Sequence, residues 1–157
     1  TYLPHGTDQS VPYRLVMCAL SVNNAGMNRV VFSSASDEWS TPTETFSALD
    51  AEFKFNDDPC PLGGNENGLL REWLSPCFVN PPYSEIAPWM EKAKLESDAG
   101  KTVVLLVPSR TDTRWWHEYA MKAAELRFIR GRLKFGDAKT GAPFPSCVVV
   151  FRGRSAA

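Results

Sequence analysis

The tetrapeptide Asn80-Pro81-Pro82-Tyr83 combines residue types whose chemistry is specific. An Asn amide oxygen and the carbonyl that follows it can accept hydrogen bonds from a substrate amino group. Proline rings hold the backbone that carries both acceptors. A tyrosine ring offers a flat face for stacking. Together they read as a device for methylating an exocyclic NH2 on a planar base. Average usage makes this tetrapeptide a chance event in on the order of one chain in a thousand or fewer, which favours a chemical reason for it. A plain turn is the competing explanation, because Asn-Pro and Pro-Pro both favour turns. The preceding apolar run Cys77-Phe78-Val79 favours the chemical reading, since it places Asn80 at the end of a buried strand.

The elements that must hold this device alternate in type. Thr41-Pro42-Thr43-Glu44 predicts a helix start, with Thr41 as the cap, Pro42 at the first helical position and Glu44 closing a capping box. The helix is expected to run to about Ala51, with Phe46 and Leu49 inward. Phe53-Lys54-Phe55 predicts a short strand, which ends in a breaker-rich loop over 56–64. Residues 69–74 allow a short turn of helix. The spacing of Ile86, Trp89, Met90 and Ala93 predicts a helix over 84–98, with Gly100 as its terminator.

Residues 102–107 are almost wholly apolar and predict a central strand covered on both faces, ended by Pro108. Asp112 or Thr113 can cap a further helix that turns Trp115 or Trp116, Tyr119 and Ala123 inward. Two late strands, over 126–129 and 147–151, can pair as a hairpin around a Gly- and Pro-rich excursion. The pattern predicts a compact α/β fold, its sheet mostly parallel and flanked by helices. Ligands of such sheets sit beyond the strand C-terminal ends. That singles out the loops after Phe55, Val79 and Val107.

Composition narrows the setting. The chain has 157 residues, 43% of them hydrophobic and 22% charged, as in ordinary soluble domains. No apolar run approaches the length of a membrane span, and 15–20 lacks the pattern of a secretion signal. The four cysteines, Cys18, Cys60, Cys77 and Cys147, form no C-x-x-C pair, and only His5 and His117 could join them. This argues against a metal site and fits a reducing, cytoplasmic setting. The net charge of -1 conceals a split. Residues 1–100 hold 6 Lys+Arg against 14 Asp+Glu, whereas 101–157 hold 11 against 4. The basic half suits a polyanion. Residues 1–36 show no sustained period and read as a leader or loose arm, with Met27 a candidate natural start. Residues 37–157 read as one domain.

Several further runs accompany the tetrapeptide in order. They are Trp39-Ser40-Thr41-Pro42, Asp58-Pro59-Cys60, Phe78 through Ser84, Val107-Pro108-Ser109-Arg110-Thr111-Asp112-Thr113, Trp115-Trp116-His117, Phe128 through Phe135, and Ala142-Pro143-Phe144-Pro145-Ser146. In these runs the chain resembles the phage-type DNA adenine-N6 methyltransferases, a compact family of bacteriophages and prophages. The likeness covers roughly residues 37–152. It implies a reduced Rossmann-like fold and methyl transfer from S-adenosylmethionine to adenine in double-stranded DNA of a bacterial host. It also implies a flipped base stacked on Tyr83, with Asn80, Pro81 and Pro82 as the rest of the catalytic motif.

The same resemblance assigns Asp58, Pro59, Cys60 and Gly63, with Trp39, Thr41 and Pro42, to the cofactor. Arg110 and Thr111 can face DNA. Arg130, Arg132 and Lys134 recur every second residue and would share one face if extended, which suits a phosphate backbone. His117 reads as structural. The chain departs from larger amino methyltransferases in lacking an F-x-G-x-G motif. Only 65–76 separate the cofactor loop from the Asn80 loop, too few for the usual strand, helix and strand. Asp57 or Glu66 are the remaining candidates to bind the ribose. Cytosine N4, RNA or a glutamine side chain stays open as the acceptor. A nonenzymatic DNA-binding module on a degenerate methyltransferase scaffold is the other alternative.

Overall fold

Six consecutive buried residues, Val103–Pro108, make the strand around which the sheet is built. The computed structural model describes residues 39–64 and 67–153. The predicted arm over 1–36, with Met27, and the ribose candidate Glu66 lie outside them. In chain order the elements are α1 (Thr43–Phe53), β1 (Cys77–Val79), α2 (Ile86–Asp98), β2 (Val103–Pro108), α3 (Arg114–Glu118), β3 (Glu125–Phe128) and β4 (Ser146–Phe151). Short 3-10 turns occupy Gly68–Leu70 and Ala120–Lys122.

The four strands lie in the order β1-β2-β4-β3. The expectation of a mostly parallel sheet is corrected: β1 and β2 are parallel, but β4 runs antiparallel to both β2 and β3. The cause is the connection. α2 carries the chain back between β1 and β2, as a parallel pair requires, whereas the excursion between β3 and β4 contains no helix and simply returns. Every residue of β2 and β4 is buried, as expected for strands in the middle of a sheet.

α2 packs on β2 and β4, and its predicted inward residues Ile86, Trp89, Met90 and Ala93 are all buried. Each large apolar side chain so covered contributes about 1.5–3 kcal/mol. Trp73 is fully buried, stacks on Trp89 at 6.1 Å, and donates its indole N–H to the Gly68 carbonyl at 2.7 Å.

Two local expectations fail for tertiary reasons. Phe53-Lys54-Phe55 is no strand. α1 runs on to Phe53, and Lys54 closes it in the left-handed region with φ 57°. Asp50 accepts the Phe55 N–H at 3.0 Å, so the alternation reflects a helix end followed by a turn. Strand-like geometry appears only at Asp57, bridged in parallel to Cys77. Thr41 does not cap α1 either: Pro42 holds the cap position without a side-chain bond, because the Thr41 hydroxyl is engaged elsewhere.

The register gathers the loops at one end. Val79 pairs with Leu105, Pro108 with Ser146, and Phe128 with Cys147. The chain therefore leaves β1, β2 and β3, and enters β4, on the same side of the sheet. Backbone bonds from Ser109 N–H to the Pro145 carbonyl (2.9 Å) and from Ile129 N–H to the Ser146 carbonyl (3.0 Å) tie these loops together.

Gly68 is a tight point in the frame below that end. A Cβ there would sit 1.9 Å from the Pro59 carbonyl oxygen. Gly68→Ala is expected to destabilise the fold by about 1–3 kcal/mol through overpacking against backbone. Denaturant unfolding checks this; an unchanged midpoint would show that the Pro59 loop yields freely.

Candidate functional site

Asn80 leaves β1 at the gathered end, half-buried, with Pro81 buried behind it. Its Nδ2 donates to the Trp39 carbonyl and, at 3.0 Å, to the Thr41 hydroxyl. A carbonyl only accepts, so the NH2 side of the amide must face Trp39. The Oδ1 side is thereby directed away, buried and without a partner. A buried acceptor left empty costs free energy, and a ligand donor would recover it.

Tyr83 is only 5% exposed, and its hydroxyl is likewise buried without a partner. Burial holds the phenol above its ordinary pKa, so it stays neutral. The ring lies near-parallel to Trp39, with centroids 6.5 Å apart and an interplanar angle of 20°. Phe144 and Phe135 meet it edge-on at 5.3 and 6.0 Å. These two phenylalanines close an aromatic cluster over the tetrapeptide and were not among the predicted site residues. The signal was present, since large aromatics bracketing a Gly- and Pro-rich excursion have no reason to be there unless they fold inward. The excursion is fastened by the Gly136 N–H, which donates to the Ser40 carbonyl at 3.1 Å with Gly136 at φ 55°.

The predicted cofactor residues divide into two groups. Trp39 and Thr41 come to Asn80 and Tyr83, with Pro42 beside them at the head of α1. Asp58, Pro59, Cys60 and Gly63 form the loop that leaves the outer edge of β1 after the Asp57 bridge. Asp58 accepts the Cys60 N–H at 3.1 Å. The residue as a whole is exposed, yet the protein atoms crowding its carboxyl push the pKa up to about 6. Asp57 is occupied: Arg71 grips both its oxygens at 2.8 Å and the Leu74 N–H adds a third bond. Chiefly through Arg71, its carboxyl is held below the usual range, which makes it a strut rather than a free ligand.

Arg110 and Thr111 lie exposed just beyond β2. His117 holds this loop: its Nε2 lies 2.8 Å from the Thr111 carbonyl and must donate to it. Both Trp115 and Trp116 are buried, where one inward tryptophan was expected. Arg130, Arg132 and Lys134 are exposed and, among the described residues, take no acidic partner. They do not share one extended face, because the chain bends at Arg130-Gly131. From Arg132 onward the expected alternation survives, with Leu133 half-buried and Phe135 buried.

Burial pushes the Cys77 and Cys147 thiols up to about 12, far from thiolate. Among the described residues, no three of His, Cys, Asp and Glu stand close enough to hold a metal ion, and no helix is long and apolar enough to cross a membrane.

The sequence pattern of the DNA N-6-adenine-methyltransferase (Dam) family matches residues 30–151. The chain belongs to this family. The match spans every element of the sheet and all of the predicted site residues. A DNA N-6-adenine-methyltransferase of Haemophilus phage HP1 is 31% identical over 123 residues, covering 69% of this chain and 71% of its own length. One of Escherichia phage T1 is 27% identical over 133 residues, covering 67% of this chain and 56% of its own length. No solved structure matches. The orphaned acceptor of Asn80 lies within the matched residues.

Asp58 supplies a test of the site's electrostatics. Its folded pKa lies above that of a free carboxylate, so the folded state binds the proton more tightly than the unfolded chain does. Its stabilising effect is complete at low pH and fades as pH rises toward about 6. Asp58→Asn is therefore expected to raise the melting temperature above pH 6, with the gain vanishing near pH 4, about the ordinary carboxylate value. A melting temperature lowered at pH 8 would contradict this.

Proposed function

We propose that this protein transfers a methyl group to the N6 amino group of adenine in double-stranded DNA. The observation that carries the reading is the Asn80 amide, clamped through its NH2 so that a buried Oδ1 stands empty. The target adenine leaves the duplex at a cost of a few kcal/mol. Tyr83 stacks on it, and Asn80 Oδ1, with the Pro81 carbonyl, accepts from its amino group while Pro82 stiffens the turn. These bonds aim the nitrogen lone pair and stabilise the positive charge that develops on nitrogen. No covalent intermediate with the protein is involved.

The residues fit S-adenosylmethionine as the donor, which when bound supplies an electrophilic methyl group. Support comes from Asp58, an exposed residue whose carboxylate lies in crowded surroundings and whose charge a cationic ligand would favour. Asp58, Pro59, Cys60 and Gly63 would hold the donor's positive end, on a reduced Rossmann-like scaffold. Arg110, Thr111, Arg130, Arg132 and Lys134 would meet DNA, and among the described residues the four cations carry no competing carboxylate.

Digestion of methylated DNA to nucleosides is expected to yield N6-methyladenine. Asn80→Ala is expected to lose about 100-fold or more of the rate, as when one preorganised group is removed from a reaction centre. Methylated cytosine, or methyl transfer to RNA or protein alone, would move the reaction to another acceptor. Near-normal activity in Asn80→Ala would remove the mechanism.

Tyr83 is sealed by Phe135 and Phe144, so a base reaches it only when the excursion lifts. A Cβ at Gly136 would lie 3.6 Å from that of Ser40, within disulfide reach. The double substitution Ser40→Cys, Gly136→Cys is expected to lose transfer by about tenfold or more when oxidised and to regain it with reductant, as for other gated sites. Full activity in the oxidised, cross-linked protein would show that this end of the excursion need not move.

A further inference from the structure

We propose that Thr41 is a positioning residue for Asn80: its hydroxyl, with the Trp39 carbonyl, fixes which end of the amide faces the substrate. The proposal rests on the adenine-methylation reading and assigns Thr41 a role distinct from cofactor binding.

The two ends of an Asn amide have nearly the same shape, so packing alone selects between them weakly. Selection has to come from the partners' polarity. The Trp39 carbonyl can only accept, and the Thr41 Oγ1 at 3.0 Å accepts the second Nδ2 proton while keeping its own proton for another partner. With both donors used on one side, the oxygen is left on the other, buried and empty. Reversing the amide would bring Oδ1 against the Trp39 oxygen and point an NH2 at the substrate amino group, donor against donor. The site would then repel the group it must receive.

The local chain is arranged around this contact. Thr41 stands immediately before the cap of α1, where its hydroxyl ordinarily would bond the helix's free N–H groups. α1 has no side-chain cap at all. The hydroxyl is withdrawn from that use and spent on a residue 39 positions away. The Trp39 ring reaches the same site, lying against Tyr83. One turn of chain thus orients both the hydrogen-bonding and the stacking members of the motif.

Thr41→Val keeps the shape and removes the acceptor, whereas Thr41→Ser keeps the acceptor. At saturating cofactor and DNA, Thr41→Val is expected to slow single-turnover methyl transfer by about tenfold or more, as for a misaligned reacting group. Its affinity for S-adenosylmethionine by calorimetry should stay within about twofold, and Thr41→Ser should recover most of the rate. Weakened cofactor binding with an unchanged saturated rate would overturn the proposal, as would equal loss in both variants. A readout without turnover separates this from failure of the methylation reading. In the free protein, the Asn80 side-chain NH2 resonances should be protected from hydrogen exchange, and Thr41→Val should weaken that protection by about tenfold, one bond being lost. Unprotected Asn80 amide protons in the unsubstituted protein would overturn the positioning role, whether or not DNA is methylated.

Discussion

The Asn80 amide is held from one side only, and most of the site's arrangement follows from that. Its donors are taken by Trp39 and Thr41, residues from the approach to α1, while Asn80 itself ends β1. The contact therefore joins the approach to the first helix to the turn after β1 across 39 positions of sequence. It withdraws Thr41 from capping, sets Trp39 against Tyr83, and leaves an acceptor buried without a donor. A soluble domain tolerates such an orphan poorly unless a ligand completes it. The cost falls in the turn proposed to receive the substrate, where a stored cost is consistent with function.

Charge is apportioned in the same sense. Arg71, Lys92, Lys94, Lys101, Arg114, Arg127 and Arg152 all pair with carboxylates. Most of these pairs brace the frame: Arg71 secures Asp57 beside β1, and Lys101 joins Glu96 of α2 to Glu72. Among the described residues, Arg110, Arg130, Arg132 and Lys134, which follow β2 and β3, take no acidic partner. Basic charge left uncompensated in the loops after β2 and β3, and a carboxylate of raised pKa at Asp58, suit a polyanion and a cation respectively.

Much of this was legible in the sequence, and what was not has identifiable causes. The buried strands, the inward face of α2 and the position of Asn80 at a strand end all follow from apolar periodicity, which burial enforces directly. Thr41 misled because a strong local capping preference lost to a tertiary hydrogen bond. Phe53-Lys54-Phe55 misled because an alternating triplet looks the same at a helix end as in a strand. The antiparallel pairing of β4 with β3 matches the expected hairpin, whereas its antiparallel pairing with β2 was hidden, because apolar periodicity carries neither strand order nor direction. Phe135 and Phe144 lie within family-like runs, yet their closure over Tyr83 depends on how the excursion folds back. That path is set by the Gly136–Ser40 backbone bond, a contact between segments far apart in the chain.

The most direct measurement is a crystal structure of the protein with its DNA and a nonreactive analogue of the cofactor. The expected result places Asn80 Oδ1 within about 3 Å of the N6 atom of an extrahelical adenine, a hydrogen-bonding distance. Asn80 Nδ2 should remain on the Trp39 carbonyl, with Phe135 and Phe144 displaced from Tyr83. A bound adenine whose amino group is received elsewhere, or an Asn80 amide turned away from Trp39, would contradict the account.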